Sequence, residues 1–403
     1  MAAPLLMPTT PKRREMLDRR AHGEGLDVRA YLSHLDYVLL LTALALMGLG
    51  AVVIYFATRN DPLPSPTYYV RYQLLYGAAG VVAMLVLSVI DYGRYRRWQW
   101  PLYAFTLASI VAVFALGPVT RGSRRWLVLP FFRFQPSELA LVILTVTLAA
   151  FLVDRLHLLG SWRTTAAALV YMAVPAGLVF AQPDFGTTTV FVMLTLALLF
   201  FFGTRWTHFA ALTAAFTGLM VAVFKLLPMV GVHVVKSYQM ERILVFLHPG
   251  HDPSGSGYNL TQSIIAVGSG TLRGRGDLAT QTTLDFLPEH HTDFIFAVVS
   301  ERWGFVGAAL LLALFVVLIW RALRVATLSR DLYGSLIAGA IAVMLLFEIF
   351  VNVGMTIGIM PITGIPLPFV SYGGAALVTN LMLVGLLESI HVRGRIAAGP
   401  GGL

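Results

Sequence analysis

Acidic side chains at the edges of apolar segments are the residues of this sequence best suited to proton transfer. Asp293 precedes the apolar stretch 294–300 and follows a Pro-Glu-His-His sequence. Partial loss of water around a carboxylate at such a boundary suits it to act as a general base. Glu138 opens another apolar segment, where a helix N-terminus capped by Ser137 would also explain a negative charge. Asp293 is therefore the first candidate for catalysis, and Glu138 is the second.

Basic side chains gather in one short segment, residues 118–136. They are Arg121, Arg124, Arg125 and Arg133. Guanidinium groups match the oxygen geometry of phosphates, so this segment predicts recognition of a phosphate-bearing substrate. Contact with anionic lipid headgroups is the alternative explanation.

Three further polar residues lie within or between apolar segments and have simpler explanations. Asp184 precedes a Phe-Gly-Thr sequence, which is typical of a turn between two helices. Glu348 and Asn352 lie in or beside an apolar segment, where hydrogen bonds between helices would account for them. We therefore expect these residues to stabilise the fold, through a turn or through hydrogen bonds between helices.

The composition places these residues in a membrane protein. Hydrophobic residues make up 57% of the 403 residues, charged residues only 12%, and the mean hydropathy is +0.76, whereas soluble domains carry about 25% charged residues. Backbone amides inside a bilayer must bond within their own segment, so apolar stretches of this length are predicted to be helices. The predicted fold class is all-α, a polytopic membrane protein with about ten transmembrane helices. The stretches are 37–58, 72–90, 101–117, 137–153, 164–181, 185–204, 207–224, 304–320, 333–351 and 374–389.

Charge and cysteine content restrict the remaining possibilities. No cysteine is present, which excludes a disulfide framework and thiolate metal sites. The basic residues flank apolar segments, so the high pI indicates membrane orientation rather than a nucleic-acid partner. The distribution of Lys and Arg favours a cytoplasmic N-terminus and C-terminus. Residues 1–33 are polar and the first apolar segment is full length, so no cleavable signal peptide is expected. The predicted organisation is a basic tail over 1–33, a transmembrane domain over 34–395 and a cytoplasmic tail over 396–403.

One long segment, 225–303, is predicted to be an extracytoplasmic loop with a re-entry segment between helices 7 and 8. It contains glycine-rich stretches but no preceding strand, so a nucleotide-binding fingerprint is excluded. His290 and His291 with Asp293 could suggest zinc, but adjacent histidines cannot share one helical face as an i, i+4 pair does. Protein-bound zinc is therefore not favoured.

Five motifs in this chain, taken in order, resemble those of the SEDS family (shape, elongation, division and sporulation). They are RFQPSE at 133–138, QPDFGT at 182–187, DPSGSGY at 252–258, FLPEHHTDFIF at 286–296 and GIPLPFVSYGG at 364–374. Together they span nearly the whole membrane region. The GIPLP form is more similar to the elongation member RodA than to the division member FtsW.

This resemblance implies a peptidoglycan glycosyltransferase that polymerises lipid II into nascent glycan during cell elongation. Catalysis would occur on the extracytoplasmic side of the bacterial cytoplasmic (inner) membrane, with undecaprenyl diphosphate as the leaving group. The implied partners are a class B penicillin-binding protein, which crosslinks the glycan, and the elongation machinery. A divalent cation, Mg²⁺ or Mn²⁺, is a possible cofactor.

The resemblance also implies roles for particular residues. Asp293 matches the essential aspartate of the family, Glu138 its fourth-helix glutamate and Trp126 its loop tryptophan. Trp126 could pack against a sugar or prenyl chain, or it could belong to an interfacial belt. Leu141 stands where the family usually has Lys, so Arg133 or Arg125 could supply that charge. The predicted substrate-binding residues are Trp126, Arg121, Arg124, Arg125, Arg133, Asp252, Gln262 and Ser371.

Two other function classes remain open from the sequence. Ten helices with interior polar residues would also suit a lipid II flippase or transporter, although no inverted repeat is evident. A non-catalytic scaffold for a partner enzyme is the third possibility, and the outward arginine cluster argues against it. A division-type polymerase is the alternative within the family.

Overall fold

The computed structural model describes residues 28–60, 65–119, 123–128, 133–226, 229, 244–246, 252, 255–280 and 286–398. The chain divides into two units after Leu35. The first unit contains one short described helix, α1 (Val28–Ser33), and most of the predicted basic tail lies outside the described residues. Every contact below belongs to the second unit, Asp36–Leu403.

Nine helices in the described part of the chain are long and apolar enough to cross a membrane. This confirms an all-α, multi-pass membrane protein. The nine are α2 (Tyr37–Thr58), α3 (Tyr68–Val89), α5 (Gln99–Leu116), α6 (Pro136–Val153), α7 (Trp162–Ala181), α8 (Phe185–Phe202), α11 (Ile295–Leu328), α12 (Leu332–Thr356) and α13 (Gly374–Ala398). The remaining elements are α4 (Gly93–Arg97), strands β1 (Leu127–Val128) and β2 (Arg133–Phe134), α9 (Trp206–Val221) and α10 (Ser256–Ser269).

The seventh predicted transmembrane segment differs from the other nine. It forms α9, a helix of 16 residues, followed by a π-helical turn at Ala222–Leu226. Sixteen helical residues extend about 24 Å, which is less than the ~30 Å of a bilayer core. The α-helical part of this segment is therefore shorter than the other nine, and the π-helical turn continues it to Leu226.

The predicted loop 225–303 contains regular structure where it is described. It includes α10 and the first turns of α11, a helix of 34 residues. The chain breaks from helical geometry at Gly304, whose φ of 64° favours glycine. A Cβ at this position would lie 2.3 Å from the backbone nitrogen of Gly274. Glycine is therefore required where segment 270–274 crosses α11.

Three helices form the centre of the bundle. The apolar windows of α6, α12 and α13 are 83%, 72% and 78% buried, whereas those of α3 and α5 are 28% and 22% buried. Lipid is as apolar as the protein interior, so burial rather than residue type separates central helices from lipid-facing ones. Functional polar groups on the central helices are consequently shielded from lipid.

The helices alternate in direction and bring two sets of residues to opposite ends of the bundle. We name these the Asp293 end, where α2, α5, α7 and α12 finish, and the Arg393 end, where α3, α6, α8 and α11 finish. At the Asp293 end, β1 and β2 pair antiparallel, with Leu127 opposite Phe134 and Val128 opposite Arg133. This small hairpin leads Arg133 directly into the start of α6.

Candidate active site

Asp293 lies in the turn that leads into α11, and a buried asparagine of α12 holds that turn. The Asn352 amide nitrogen donates to the backbone oxygen of Asp293 at 2.9 Å and to that of Ile365 at 2.8 Å. Asn352 was predicted to bond between helices, but its partners are backbone carbonyls in two connecting segments. It thereby joins the Asp293 turn to the segment that carries the GIPLP motif.

A second set of hydrogen bonds fixes the same turn from the segment before α13. The Ser371 hydroxyl donates to the Thr292 carbonyl at 2.6 Å, and the Tyr372 amide donates to the His291 carbonyl at 2.9 Å. Gln73 on α3 donates in turn to the Ser371 carbonyl at 3.1 Å. Ser371, predicted to bind substrate, is buried here and positions the backbone beside Asp293.

The histidines of this turn contact the protein itself. The two ring nitrogens of His290 lie 2.8 Å from the Leu287 carbonyl and 3.0 Å from the Ala57 carbonyl at the end of α2. Within the described residues, no group of three or more His, Asp or Glu side chains is arranged to hold a metal ion. No catalytic step is assigned to a divalent cation.

The side chain of Asp293 faces a position where only glycine fits comfortably. Gly364 has a φ of 75°, and a Cβ added there would lie 3.5 Å from Oδ2 of Asp293. The Asp293 side chain is half-buried. Glycine at 364 therefore lets the backbone turn sharply beside the carboxylate.

Arg125 organises a neighbouring turn between α7 and α8. Its guanidinium donates to the carbonyls of Gln182 and Pro183, and Nη1 lies 3.7 Å from Oδ1 of Asp184. Asp184 caps α8, since Oδ1 accepts from the Thr187 amide at 3.3 Å. The turn chemistry predicted for Asp184 is confirmed, and Arg125 already has protein partners for most of its donors.

The start of α6 meets this turn through a glutamine. The Gln135 amide nitrogen lies 3.1 Å from both Oδ2 of Asp184 and Oγ of Ser137. Gln135 occupies the N-cap position, so the prediction that Ser137 caps α6 is wrong. Pro136 takes the first helical position, which moves the cap one residue earlier than Ser137 could provide.

Glu138 lies in the first turn of α6, as predicted, among other carboxyl groups. It interacts electrostatically with Asp184 and with Glu348 of α12. Leu141, one turn further, is 3% exposed and packs in the apolar core. Position 141 thus contributes to core packing, so any balancing charge must come from elsewhere.

A cavity of about 80 Å³ adjoins Glu138. Its wall contains one basic residue, Arg133, and one acidic residue, Glu138. Tyrosine, threonine and apolar side chains from α3 and α13 also line it. The lining residues are Tyr76, Arg133, Phe134, Gln135, Glu138, Leu139, Gly374, Ala375, Val378, Thr379 and Met382. Of the described arginines in the predicted phosphate-binding cluster, Arg133 is therefore the one that faces this cavity.

Other predicted binding residues have local roles or lie apart. Arg124 is exposed and donates to the Phe114 carbonyl at 2.8 Å, and Trp126 is half-buried in the segment before β1. Asp252 accepts from the Gly255 amide at 2.9 Å in a turn before α10, which carries Gln262. Arg121 lies outside the described residues.

Sequence reasoning missed Gln73 and assigned Asn352 the wrong partners. A polar residue inside an apolar helix is costly, and this was the available signal for Gln73 within α3. The partners of both residues are backbone atoms of distant turns, which no side-chain pattern reveals.

Comparison with known proteins settles the family. The family model for cell cycle proteins of the FtsW, RodA and SpoVE type matches residues 36–396. The chain belongs to this SEDS family. A relative named peptidoglycan glycosyltransferase MrdB, from Escherichia coli K12, is 40% identical over 359 residues, which cover 89% of this chain and 94% of the relative.

Two solved structures resemble this SEDS chain in fold. A structure of a peptidoglycan synthase complex, described as coordinating polymerization and crosslinking, matches with a TM-score of 0.74 and 28% identity. The match covers 89% of this chain and 98% of the chain in that structure. The rod shape determining protein RodA of Thermus thermophilus matches with a TM-score of 0.65 and 27% identity, covering 89% and 96%.

Proposed function

We propose that this SEDS chain is a peptidoglycan glycosyltransferase of the elongation type, with Asp293 as its general base. The observation that carries the proposal is the support of the Asp293 turn. Asn352, Ser371 and the Tyr372 amide each bond its backbone, and Oδ2 of Asp293 lies beside Gly364. Support of this kind through the backbone holds the Asp293 turn in a fixed position, as a general base requires.

The proposed reaction joins two lipid-linked saccharides of the lipid II type. An acceptor sugar hydroxyl attacks the anomeric carbon of the donor while its proton passes to the Asp293 carboxylate. A new glycosidic C–O bond forms, and the bond from the anomeric carbon to the diphosphate oxygen breaks. The bonding electrons leave with undecaprenyl diphosphate, so charge develops on the phosphate as the reaction proceeds.

Arg133 is the residue best placed to balance that charge. Its exposed side chain lines the cavity that also contains Glu138, and no described carboxylate forms an ion pair with it. Arg125 is a weaker candidate, because it already bonds the turn 182–184. We therefore assign the diphosphate to Arg133 first, with Arg124 and Arg121 as further contacts from the same segment.

The elongation role, the partner and the orientation belong to the same proposal. The GIPLP motif and the likeness to a protein named for determining rod shape support elongation over division. Likeness to a synthase complex that couples polymerization to crosslinking supports a class B penicillin-binding protein as partner. The Asp293 end would then face the extracytoplasmic side of the cytoplasmic membrane, with both termini in the cytoplasm.

The test is polymerisation of labelled lipid II by the purified full chain together with its cognate transpeptidase. We expect glycan strands from the wild type and at least about a hundredfold lower rate from Asp293→Asn, which keeps the shape but cannot accept the proton. Asp277→Asn, at the same end of the bundle, is the matched control and should polymerise like the wild type.

The outcomes separate the competing functions. Activity of folded Asp293→Asn at the wild-type rate would refute the role of Asp293 as a base. No polymer from the wild type, with any transpeptidase tested, would refute the glycosyltransferase proposal. Lipid II translocation in liposomes would then be measured, since a flippase is the other function suggested by the polar interior.

A further inference from the structure

Five tyrosines form a cluster at the Asp293 end of the bundle. Tyr68, Tyr69, Tyr72 and Tyr76 lie along the first part of α3, and Tyr372 lies just before α13; we name these five the tyrosine cluster. Ring centroids are 4.9 Å apart for Tyr68 and Tyr72, 6.5 Å for Tyr72 and Tyr76, and 4.7 Å for Tyr69 and Tyr372. Because residues four apart share a helix face, Tyr68, Tyr72 and Tyr76 form one stripe.

The tyrosine cluster extends from the Asp293 turn to the cavity at α6. The ring of Tyr69 lies 4.5 Å from that of His291, two residues before Asp293, and the Tyr372 amide bonds the His291 carbonyl. At the other end of the stripe, Tyr76 lines the cavity beside Arg133. A molecule bound between the proposed base and the cavity would therefore lie against these rings.

Four hydroxyls of the cluster are available to a ligand. Those of Tyr68, Tyr72, Tyr76 and Tyr372 form no hydrogen bond with any residue in the described part of the chain. Tyrosine hydroxyls in proteins usually find a partner when they are shielded from water. Burial also raises the pKa of Tyr372 above its usual range.

Three tyrosines towards the Arg393 end form internal hydrogen bonds. The hydroxyl of Tyr92 donates to Asp331 at 3.0 Å, that of Tyr103 to the Tyr171 carbonyl at 2.7 Å, and that of Tyr333 to the Val146 carbonyl at 3.0 Å. Tyr95 and Tyr171 differ from these three, since their buried hydroxyls have no hydrogen-bond partner in the described part of the chain. The cluster at the Asp293 end differs in that four of its hydroxyls, which are not buried in this way, have no partner among the described residues.

The chemistry of the cluster suits a saccharide. Sugar rings present apolar C–H faces and several hydroxyls, and tyrosine offers an aromatic face beside a hydrogen-bonding group. Tyrosines of an interfacial belt also combine these properties, but belt residues face lipid individually. Here, rings from α3 and from the segment before α13 meet one another and the Asp293 turn.

We propose that the tyrosine cluster is a saccharide-binding surface that holds a sugar of the glycan or of its lipid-linked precursor beside Asp293. This inference rests on the proposed glycosyltransferase function and adds binding residues to it. Tyr72 provides the most accessible ring of the stripe, with 39% of its surface exposed. Its removal should therefore weaken binding without disturbing the core.

The first experiment measures binding without turnover. Saturation-transfer NMR would follow a soluble, lipid-free peptidoglycan glycan fragment in the presence of the full chain in detergent. We expect the Kd to rise about fivefold in Tyr72→Leu, which removes the ring, and about twofold in Tyr72→Phe, which removes only the hydroxyl. Tyr55→Leu is the matched control. Tyr55 is 38% exposed and lies near the C-terminus of α2, at the Asp293 end of the bundle.

Polymerisation kinetics provide the second measurement. The KM for lipid II should rise in Tyr72→Leu by a similar factor while kcat stays within about twofold, since the ring binds the substrate before and during the reaction alike. Unchanged glycan affinity in Tyr72→Leu, equal weakening in Tyr55→Leu, or no fragment binding by the wild type would each overturn the inference.

The two proposals fail in different ways. If the wild type polymerises lipid II but Tyr72→Leu retains both its affinity and its KM, the saccharide surface is wrong and the glycosyltransferase stands. If the fragment binds in a Tyr72-dependent manner but no polymer forms, the surface stands and the proposed reaction is wrong.

Discussion

The two ends of the bundle use polar residues in opposite ways. At the Arg393 end, side-chain charges pair with one another: Arg321 bonds Asp36 of α2, and Arg96 meets Asp154 at 2.6 Å. At the Asp293 end, Asn352 and Ser371 bond backbone carbonyls of connecting segments instead. Ion pairs also occur at the Asp293 end, between Arg125 and Asp184 and between Arg302 and Asp277. This end, however, adds the backbone bonds to the Asp293 turn and has acidic, basic and phenolic groups facing a cavity.

This difference indicates where function can reside in a membrane bundle. A buried ion pair joins helices, but its groups are already occupied and cannot serve a substrate. Polar residues that bond only the backbone hold a turn in place without occupying the reactive side chain. The comparison therefore predicts that substitutions at the Arg393 end reduce stability, while those at the Asp293 end reduce activity.

The largest effect is expected for Arg393→Leu. The Arg393 guanidinium is buried, donates to the Val89 and Ser389 carbonyls at 2.6 and 2.9 Å, and lies 3.4 Å from Asp91. Its loss removes these donors from the carbonyls and one of the positive charges beside Asp91, which keeps Arg330 and the Gly93 amide as donors. The free energy of unfolding should fall by about 3 kcal/mol, measured as a lower thermal unfolding midpoint of the purified protein.

The control for this substitution is Arg395→Leu, because Arg395 lies on the same helix end but is only half-buried. Its unfolding midpoint should stay close to that of the wild type. Polymerisation per folded molecule should be unchanged in both variants. A selective loss of kcat in stably folded Arg393→Leu would break the comparison, since a purely structural group would then affect catalysis.

The next effect is expected for Asn352→Ala at the Asp293 end. The substitution removes the two hydrogen bonds by which Asn352 links the Asp293 carbonyl to the Ile365 carbonyl, so the Asp293 turn should loosen. We expect kcat to fall at least about tenfold, equivalent to about 1.4 kcal/mol of transition-state stabilisation. The KM should change little, because Asn352 is expected to position the base rather than to contact the substrate.

Asn380→Ala is the matched control for Asn352→Ala. Asn380 is also a buried asparagine, but its amide donates to the Ala376 carbonyl of its own helix at 2.9 Å. It should retain nearly full activity. Equal losses of kcat in the two variants would mean that removing any buried asparagine lowers activity. The proposal that Asn352 positions the Asp293 turn would then be refuted.

The sequence predicted the helices well where apolar runs are continuous. It failed at the start of α11, because Glu301 and Arg302 interrupt the apolar run and suggest a loop. Both are buried within the helix: Arg302 pairs with Asp277 and lies 3.8 Å over the ring of Phe56. Hydropathy cannot predict that these charged residues lie inside a helix, since the partners of Arg302 come from α2 and from the loop that contains Asp277.

The sequence singled out Asp293 as a candidate from its position at an apolar boundary and from its motif, and its catalytic role stays a prediction. The residues that support the Asp293 turn were less predictable. The structural role of Arg125 was missed, because its partners are carbonyls of the turn 182–184. The four-residue spacing of Tyr68, Tyr72 and Tyr76 was visible in the sequence, but their meeting with Tyr372 required the fold.

The smallest effect is expected for Asp277→Asn, which tests an exception to the comparison. Asp277 lies at the Asp293 end, yet it forms ion pairs with Arg302 at 2.5 Å and Arg59 at 2.8 Å. Hydrogen bonds from Arg302 and then Arg59 hold the pKa of Asp277 below its usual range. Its contribution is therefore present at neutral pH and is lost as the pH falls below about 4.

Asp277→Asn should speed hydrogen–deuterium exchange of residues 276–278 at neutral pH, and that difference from the wild type should vanish below about pH 3. Polymerisation should be unaffected, because this ion pair joins a loop to two helices without contacting the Asp293 turn in the described structure. A clear loss of kcat would show that charge pairing also supports the site at this end. The distinction between the two ends would then lie in the backbone bonds of Asn352 and Ser371 alone.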